Sequence, residues 1–338
     1  MQFKALAAAL ITTLPLFAYA QTNVTVYGVM DAAIASEDSD APGEKRRTVI
    51  NSGNQSSSRL GFRGTEDLGN GIKAIFNIEA GVAIDTGAAD SALFGRRSVV
   101  GLQGGFGQLT VGREYSPIAS IAAATDVFGQ GFYGSNLSAF NANRLTRRLS
   151  NSVNFKSAPM AGFSVLAAWS AGERATDGPS GNLMGVALEY ANGPFYLGAG
   201  YHELERLATE DDKELAFGAG VKLGDFDIKA NYLSADQAGA NNEFEQMNLG
   251  AAYTMGANKF FVNLQRNEIE SGAKGDAWAV AYSYALSKRT NVYTSYGSMR
   301  NNERAVFGLN SSSTNLTPVA TALGADPTAF TVGVRHAF

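Results

Sequence analysis

Ser58-Arg59-Leu60-Gly61-Phe62-Arg63-Gly64-Thr65, then Glu66-Asp67-Leu68-Gly69-Asn70-Gly71, then Ile72-Lys73-Ala74-Ile75-Phe76-Asn77-Ile78-Glu79 is the stretch that decides the fold. In its first part Leu60 and Phe62 alternate with Arg59 and Arg63. In its last part Ile72, Ala74, Phe76 and Ile78 alternate with Lys73, Asn77 and Glu79. Successive side chains of a strand point to opposite faces, so each part reads as a strand with one apolar and one polar side. The Glu66–Gly71 segment between them is a tight reversal, ending in Asn and Gly as turns do. The unit is an antiparallel hairpin, greasy on one face and charged on the other.

The unit repeats along the chain. Asn23 to Ala35 places Val24, Val26, Met30 and Ile34 opposite Thr25, Tyr27 and Asp31. Further alternating segments begin near Phe94, Gln108, Ser152, Phe163, Asn182, Phe195, Lys213, Phe226, Phe244, Lys259, Asp276, Asn291 and Thr328, which makes sixteen with little helical periodicity. The connections sort by length. Besides Glu66–Gly71, the short ones are Gly104 to Gly107, Ala158 to Gly162, Asn192-Gly193-Pro194, Gly224-Asp225, Gly256 to Asn258 and Ser287 to Thr290. Between them fall long ones near residues 36–57, 83–93, 114–150, 173–181, 204–212, 237–243, 270–275 and 299–327. Seven turns on one side and eight loops on the other are what a sixteen-stranded membrane meander requires. A soluble β-sandwich also alternates, but it does not sort its connections this way, and sixteen strands need closure to remove their edges. Trp169, Tyr201, Tyr253, Trp278, Tyr282 and Tyr284 fall near strand ends, where interface girdles lie.

The N-terminus adds export. Met1-Gln2-Phe3-Lys4 carries one positive charge, Ala5 to Phe17 is apolar, and Ala18-Tyr19-Ala20 forms a small-residue cleavage site. Residues 1–20 therefore read as a signal peptide removed before Gln21, leaving residues 21–338 as one barrel domain. No later run approaches the ~18 apolar residues of a spanning helix. The chain has no Cys, so an exported fold of this size relies on hydrogen-bonded architecture. A net charge of −4 argues against a nucleic-acid partner. The absence of Cys and the presence of only two His argue against a Cys nucleophile or a His-rich metal centre. His202, at a strand end, and His336, near the C-terminus, read as polar or girdle residues. There is no P-loop, dinucleotide fingerprint or nucleophile elbow. The acidic runs Glu37-Asp38-Ser39-Asp40 and Glu210-Asp211-Asp212 could take up Ca2+ weakly but lack an EF-hand pattern, and solvated loop charge is the simpler reading.

Several stretches resemble the general porins of beta-proteobacterial type. They are Val24-Thr25-Val26-Tyr27-Gly28 with Asp31, the Ser58–Gly71 block, Val100-Gly101-Leu102 through Gly104-Gly105-Phe106-Gly107 to Val111-Gly112-Arg113, Leu286-Ser287-Lys288-Arg289-Thr290, and the ending Val334-Arg335-His336-Ala337-Phe338. The likeness runs in order from residue 21 to 338. The resemblance implies a homotrimer in the outer membrane, among its lipid and lipopolysaccharide, with the third loop folded into the lumen. It also makes Phe338 part of the signal read by the barrel-assembly machinery. The fold expected is thus all-β, a 16-stranded antiparallel transmembrane β-barrel with an inward-folded third loop.

A barrel of this width leaves an aqueous channel, whose selectivity depends on the charges at its narrowest point. By parity Arg59 and Arg63 face the polar side of their strand, and Glu79 belongs to the same lumen set. The resembling family carries basic residues at the places of Arg96 or Arg97 and Arg148, and an acidic one near Asp126. Strict alternation from Val100 and Leu102 turns Arg97 inward and Arg96 outward, so both stay candidates. Glu114 and Asp126, in the long third loop, would supply an acidic rim. The function expected is passive diffusion of ions and small hydrophilic solutes, with some anion preference. The rival readings are an adhesin or a membrane hydrolase built on the same barrel.

Overall fold

The computed structural model describes residues 23–141, 144–175, 181–207 and 209–338; the leader expected over residues 1–20 lies outside them. In chain order the strand segments are β1 (Asn23–Asp38), β2 (Arg47–Ser52), β3 (Arg59–Gly69), β4 (Ile72–Ala83), β5 (Ala88–Ala89), β6 (Arg97–Gly104), β7 (Gly107–Tyr115), β8 (Arg148–Ser157), β9 (Phe163–Ser170) and β10 (Leu183–Asn192). There follow β11 (Phe195–Leu204), β12 (Asp212–Leu223), β13 (Phe226–Asp236), β14 (Phe244–Met255), β15 (Asn258–Ile269), β16 (Lys274–Ala285), β17 (Thr290–Asn301), β18 (Leu309–Asn310), β19 (Asn315–Leu316) and β20 (Thr328–Ala337). Helices α1 (Pro117–Ala124) and α2 (Ser138–Asn141) lie between β7 and β8.

Segments β2 and β3 both pair with β1 and form one interrupted barrel strand. With the two-residue pieces β5, β18 and β19 set aside, sixteen antiparallel strands remain. The last, β20, closes on β1 from Val29↔Ala337 to Asp38↔Thr328. Closure pairs every edge, the condition for a sheet to cross hydrocarbon.

Burial is inverted relative to a water-soluble sheet. On β1, Ile34 is 60 % exposed between Ala33 at 3 % and Ala35 at 1 %. On β10, Met184, Val186 and Leu188 are exposed while Leu183, Ala187 and Glu189 are buried. Large apolar side chains face outward, where lipid is the solvent, and small or polar ones face the lumen. Aromatic pairs sit on the outer face beside the short turns: Phe163–Tyr190 and Phe226–Tyr253 at 4.7 Å between ring centres, Phe260–Tyr282 at 5.1 Å. Trp278–Tyr296, at 5.3 Å, lies nearer the loops.

The third loop folds inward because its apolar residues find a seat on the inner wall. Ser116 caps α1 by accepting from the Ala119 N–H, and Pro117 fills the first helical position. The helix then packs on the inner faces of β10, β11 and β12. Ile118 and Ile121 are wholly buried against wall residues that include Ala187 and Ala216, and further along Phe128 and Phe132 pack on Ala252, Ala279, Phe261 and Tyr293. A Cβ at Gly198 would lie 2.6 Å from Ile121 Cδ1, so glycine there lets the Ile121 side chain lie directly on the wall. Each large side chain removed from a watery lumen contributes ~1.5–3 kcal/mol.

Two further segments enter the lumen, which the alternation does not announce. The expected loop over 36–57 is corrected: β1 runs to Asp38, pairing resumes at Arg47, and the chain leaves the ladder between β2 and β3. Asp31 holds this inward bend, its carboxylate accepting from the backbone N–H groups of Asn54 (3.2 Å), Gln55 (3.1 Å) and Ser56 (2.8 Å) and from the Tyr293 hydroxyl (2.6 Å). The last loop sends in the β18–β19 hairpin, with Leu309 and Leu316 buried against Tyr133 and Met299. The three inward pieces interlock: Phe132 N–H donates to Asn54 O at 2.7 Å, and Ser57 N–H donates to Ser312 Oγ at 2.6 Å.

Candidate functional site

Between the loop and the wall of β3 to β9 runs a cavity of ≈ 540 Å³. On the wall side Arg59 comes from β3, Glu79 from β4, Arg97 from β6, and Glu114 and Tyr115 from β7, with Arg96 just before β6. Ala119, Ser120, Ala123, Gln130 and Arg147 face them from the loop, and Ser57 and Ser312 come from the other inward pieces.

Strand parity places most of the charge. Glu79 lies directly across from Arg97 in the β4–β6 ladder. It reaches instead toward Arg96, whose Nε lies 2.6 Å from Oε1, and toward Arg59, whose Nε lies 3.4 Å from Oε2. Tyr27 donates to the same carboxylate at 3.1 Å. Arg97 pairs with Glu114, its Nε 2.8 Å from Oε2. Alternation turns Arg97 inward as expected. Arg96 also points inward because it precedes the ladder, and its side chain follows Glu79.

Tyr115 gathers the remaining arginines. Its hydroxyl accepts from Arg96 Nη2 at 3.1 Å and Arg148 Nη2 at 3.2 Å, and the Arg148 and Arg147 guanidiniums lie 4.8 and 5.9 Å from its ring centre. Such cation–ring contacts hold the positive heads in place without neutralising them. Arg147 donates to Gln130 Oε1 at 3.0 Å. Burial, and next the like charge of Arg148, pulls its guanidinium down to about 10, which leaves it charged at neutral pH.

Of the expected residues, Arg59, Glu79, Arg96, Arg97 and Glu114 line the cavity, but Glu114 does so from the wall and not from the third loop, because β7 stays paired with β8 as far as Tyr115. Arg148 stands behind Tyr115, and Arg63 lies outside the cavity lining with its guanidinium 5.1 Å from the centre of the Tyr27 ring. Asp126 is a correction. It is fully buried inside the loop, and its carboxylate accepts from the backbone N–H groups of Phe128 (2.9 Å), Gln130 (3.0 Å) and Asn136 (3.3 Å). It shapes the loop instead of rimming the channel. Burial pushes it up to about 6, against the pull of those amides.

Arg147 and Lys156 line the cavity and were not among the expected residues. For Lys156 the signal was available, since Asn154 and Lys156 share the polar parity of β8. Lys156 lies 2.8 Å from Glu189 across the lumen wall. His202, expected as a polar or girdle residue, is wholly buried against Glu214. The acidic outer runs are partly engaged already: Glu37 accepts from Arg47, Asn51 and Tyr133, and Asp212 pairs with Arg206.

A sequence profile described as Gram-negative porin matches residues 5–304. The chain is similar to "Outer membrane porin protein 32" of Delftia acidovorans, 29% identical, with 95% of each covered. It is also similar to "Major outer membrane protein P.IB" of Neisseria gonorrhoeae, 25% identical over 87% of this chain and 92% of that one. Among solved structures, "Anion-selective porin from Comamonas acidovorans" superposes with a TM-score of 0.83 at 25% identity, covering 94% of this chain and all of that one.

Proposed function

The chain belongs to the Gram-negative porin family of the outer membrane, and we propose that its barrel is a diffusion channel that passes small anions more readily than cations. One observation carries the preference. Five cations (Arg59, Arg96, Arg97, Arg147 and Lys156) line the cavity against two carboxylates, Glu79 and Glu114, and stay in excess when Glu189, the partner of Lys156, is added, in a chain whose net charge is −4. The positive excess is thus concentrated on the path. A narrow passage with low-dielectric walls focuses that field on whatever passes. The Comamonas porin, whose description reads anion-selective, supports the same reading.

Passage down a gradient needs no catalytic group, and an open cavity of ≈ 540 Å³ favours a pore over an adhesin with a plugged lumen. In this reading residues 1–20 are the cleaved leader, Phe338 is presented to the assembly machinery, and three copies associate among outer-membrane lipid and lipopolysaccharide. The deciding experiment is the reversal potential of the purified protein in planar bilayers under a potassium chloride gradient. It should carry the sign of chloride permeation, and cation preference at neutral pH would overturn the proposal.

A further inference from the structure

Behind the inward loop, away from the channel, His202 of β11 and Glu214 of β12 face each other across the ladder. Both are buried, with His202 Nδ1 3.0 Å from Glu214 Oε2. The other ring nitrogen, Nε2, accepts from the backbone N–H of Ile118, in the first turn of α1, at 3.3 Å. Glu214 accepts from the Thr146 backbone N–H at 3.0 Å and from its hydroxyl at 2.7 Å. The pair therefore grips the loop at its start and at its end. The two ends also hold each other: Ser116 Oγ donates to Thr146 O at 2.7 Å, and Ser116 N–H donates to Arg147 O at 3.0 Å. Gly185 of β10 makes room for the ring, since a Cβ there would lie 2.5 Å from His202 Cδ2.

A ring nitrogen that accepts an N–H must present its lone pair, so this arrangement requires a neutral imidazole with its proton on Nδ1, toward Glu214. A proton added at Nε2 would set one N–H against another. Glu214 supplies the counter-charge for the imidazolium that results. Among the described residues around the ring, β10 offers Gly185, the loop offers Pro117 and Ile118, Glu203 on β11 turns to Tyr201, and Asp212 is paired with Arg206.

We propose that His202 and Glu214 are positioning residues for the constriction: a neutral imidazole holds the start of the inward loop at Ile118, the Glu214 carboxylate holds its end at Thr146, and protonation of the ring releases the start. Ser116, two residues before Ile118, donates to Thr146 O and to Arg147 O, so movement of the released start reaches Arg147 in the cavity lining. The inference rests on the cavity being the conducting path.

The test is single-channel recording of the purified protein, with constant salt, between about pH 7 and about pH 5. Open-channel noise and brief closures in the native protein should rise about fivefold on acidification, the population change one lost hydrogen bond gives. His202→Gln, whose amide oxygen still accepts but does not titrate, should stay flat over the same range. Asp126 is common to both proteins and cancels in the comparison. A flat native profile, or a His202→Gln profile that follows the native one, overturns the proposal. If the variant does not assemble, hydrogen exchange in the native protein decides: the Ile118 amide should lose protection on acidification beyond its intrinsic rate change, and unchanged protection refutes the idea. Anion preference at neutral pH is read separately, so failure of the channel reading and failure of the loop reading are distinguishable.

Discussion

Arg96 Nε lies 2.6 Å from one oxygen of Glu79, and Arg59 Nε lies 3.4 Å from the other, so a single carboxylate serves two guanidiniums at the cavity wall. The cluster keeps one net positive charge while satisfying its only acid. That arrangement separates the folding role of the pair from its effect on permeation, because either arginine can be removed without leaving Glu79 alone.

Glu79→Gln should make the channel more anion-selective, and Arg96→Gln less so. A unit charge about 5 Å from a passing ion in a water-like dielectric is worth about 0.8 kcal/mol, or about a fourfold change in permeability ratio. Reversal potentials of the two variants should move in opposite directions, and a shift of both the same way would contradict the assignment. Higher salt should shrink both effects, since mobile ions screen the wall.

Most of the barrel was legible because its rule is local. Parity placed Arg59, Glu79 and Arg97, and turn residues such as Asn70-Gly71 punctuated the strands. What stayed hidden depends on contacts far apart in sequence. The inward bend after Ser52 exists because Asp31 caps Asn54, Gln55 and Ser56, and nothing in residues 53–58 alone announces that partner. Asp126 has the charge of an eyelet residue, but only the folded loop shows three amides closing around it. Arg147 and Arg148 are adjacent, and the end of the loop, outside strand alternation, decides which one lines the cavity.

Asp126 gives the loop a pH dependence of definite sign. Its carboxyl is raised from 3.8 to about 6, so between those values the folded loop holds a proton that the unfolded chain has released. Stability therefore falls as pH rises through that window, and acidification from neutral pH should recover on the order of 3 kcal/mol of it. Thermal unfolding of the native protein and of Asp126→Asn should show this as a difference in slope between about pH 4 and about pH 7. Asn cannot accept at both positions, so the variant should also be less stable overall by ~1–3 kcal/mol. Equal slopes would place the carboxylate's ionisation outside this window.

Gly198 is a close point of the loop's seat. Gly198→Val places its Cβ 2.6 Å from where Ile121 Cδ1 now lies, and we expect α1 to move toward the channel because Ile121 is wholly buried. Overpacking of this kind costs typically ~1–3 kcal/mol. Single-channel conductance should fall while the ion preference keeps its sign, because no charge is altered. A variant with native conductance would mean that the Ile121 side chain gives way by itself.

The barrel's seam carries the last prediction. Phe338 N–H donates to Gly28 O, and Gly28 N–H donates to Phe338 O, each at 3.1 Å, and the Phe338 ring lies over Gly28 where a side chain would meet it. If the ring contributes to the closed seam, Gly28→Val and Phe338→Ala should both lower the unfolding temperature of assembled protein. If the ring matters only while the chain is being inserted, Phe338→Ala should reduce the amount reaching the membrane and leave the unfolding temperature of that fraction unchanged. Gly28→Val should still lower it, since Arg59 O lies 2.6 Å from the added Cβ and the β1–β3 ladder must spread. Heat-dependent gel mobility of the two variants, read beside their yields in the membrane, separates a structural latch from an assembly signal.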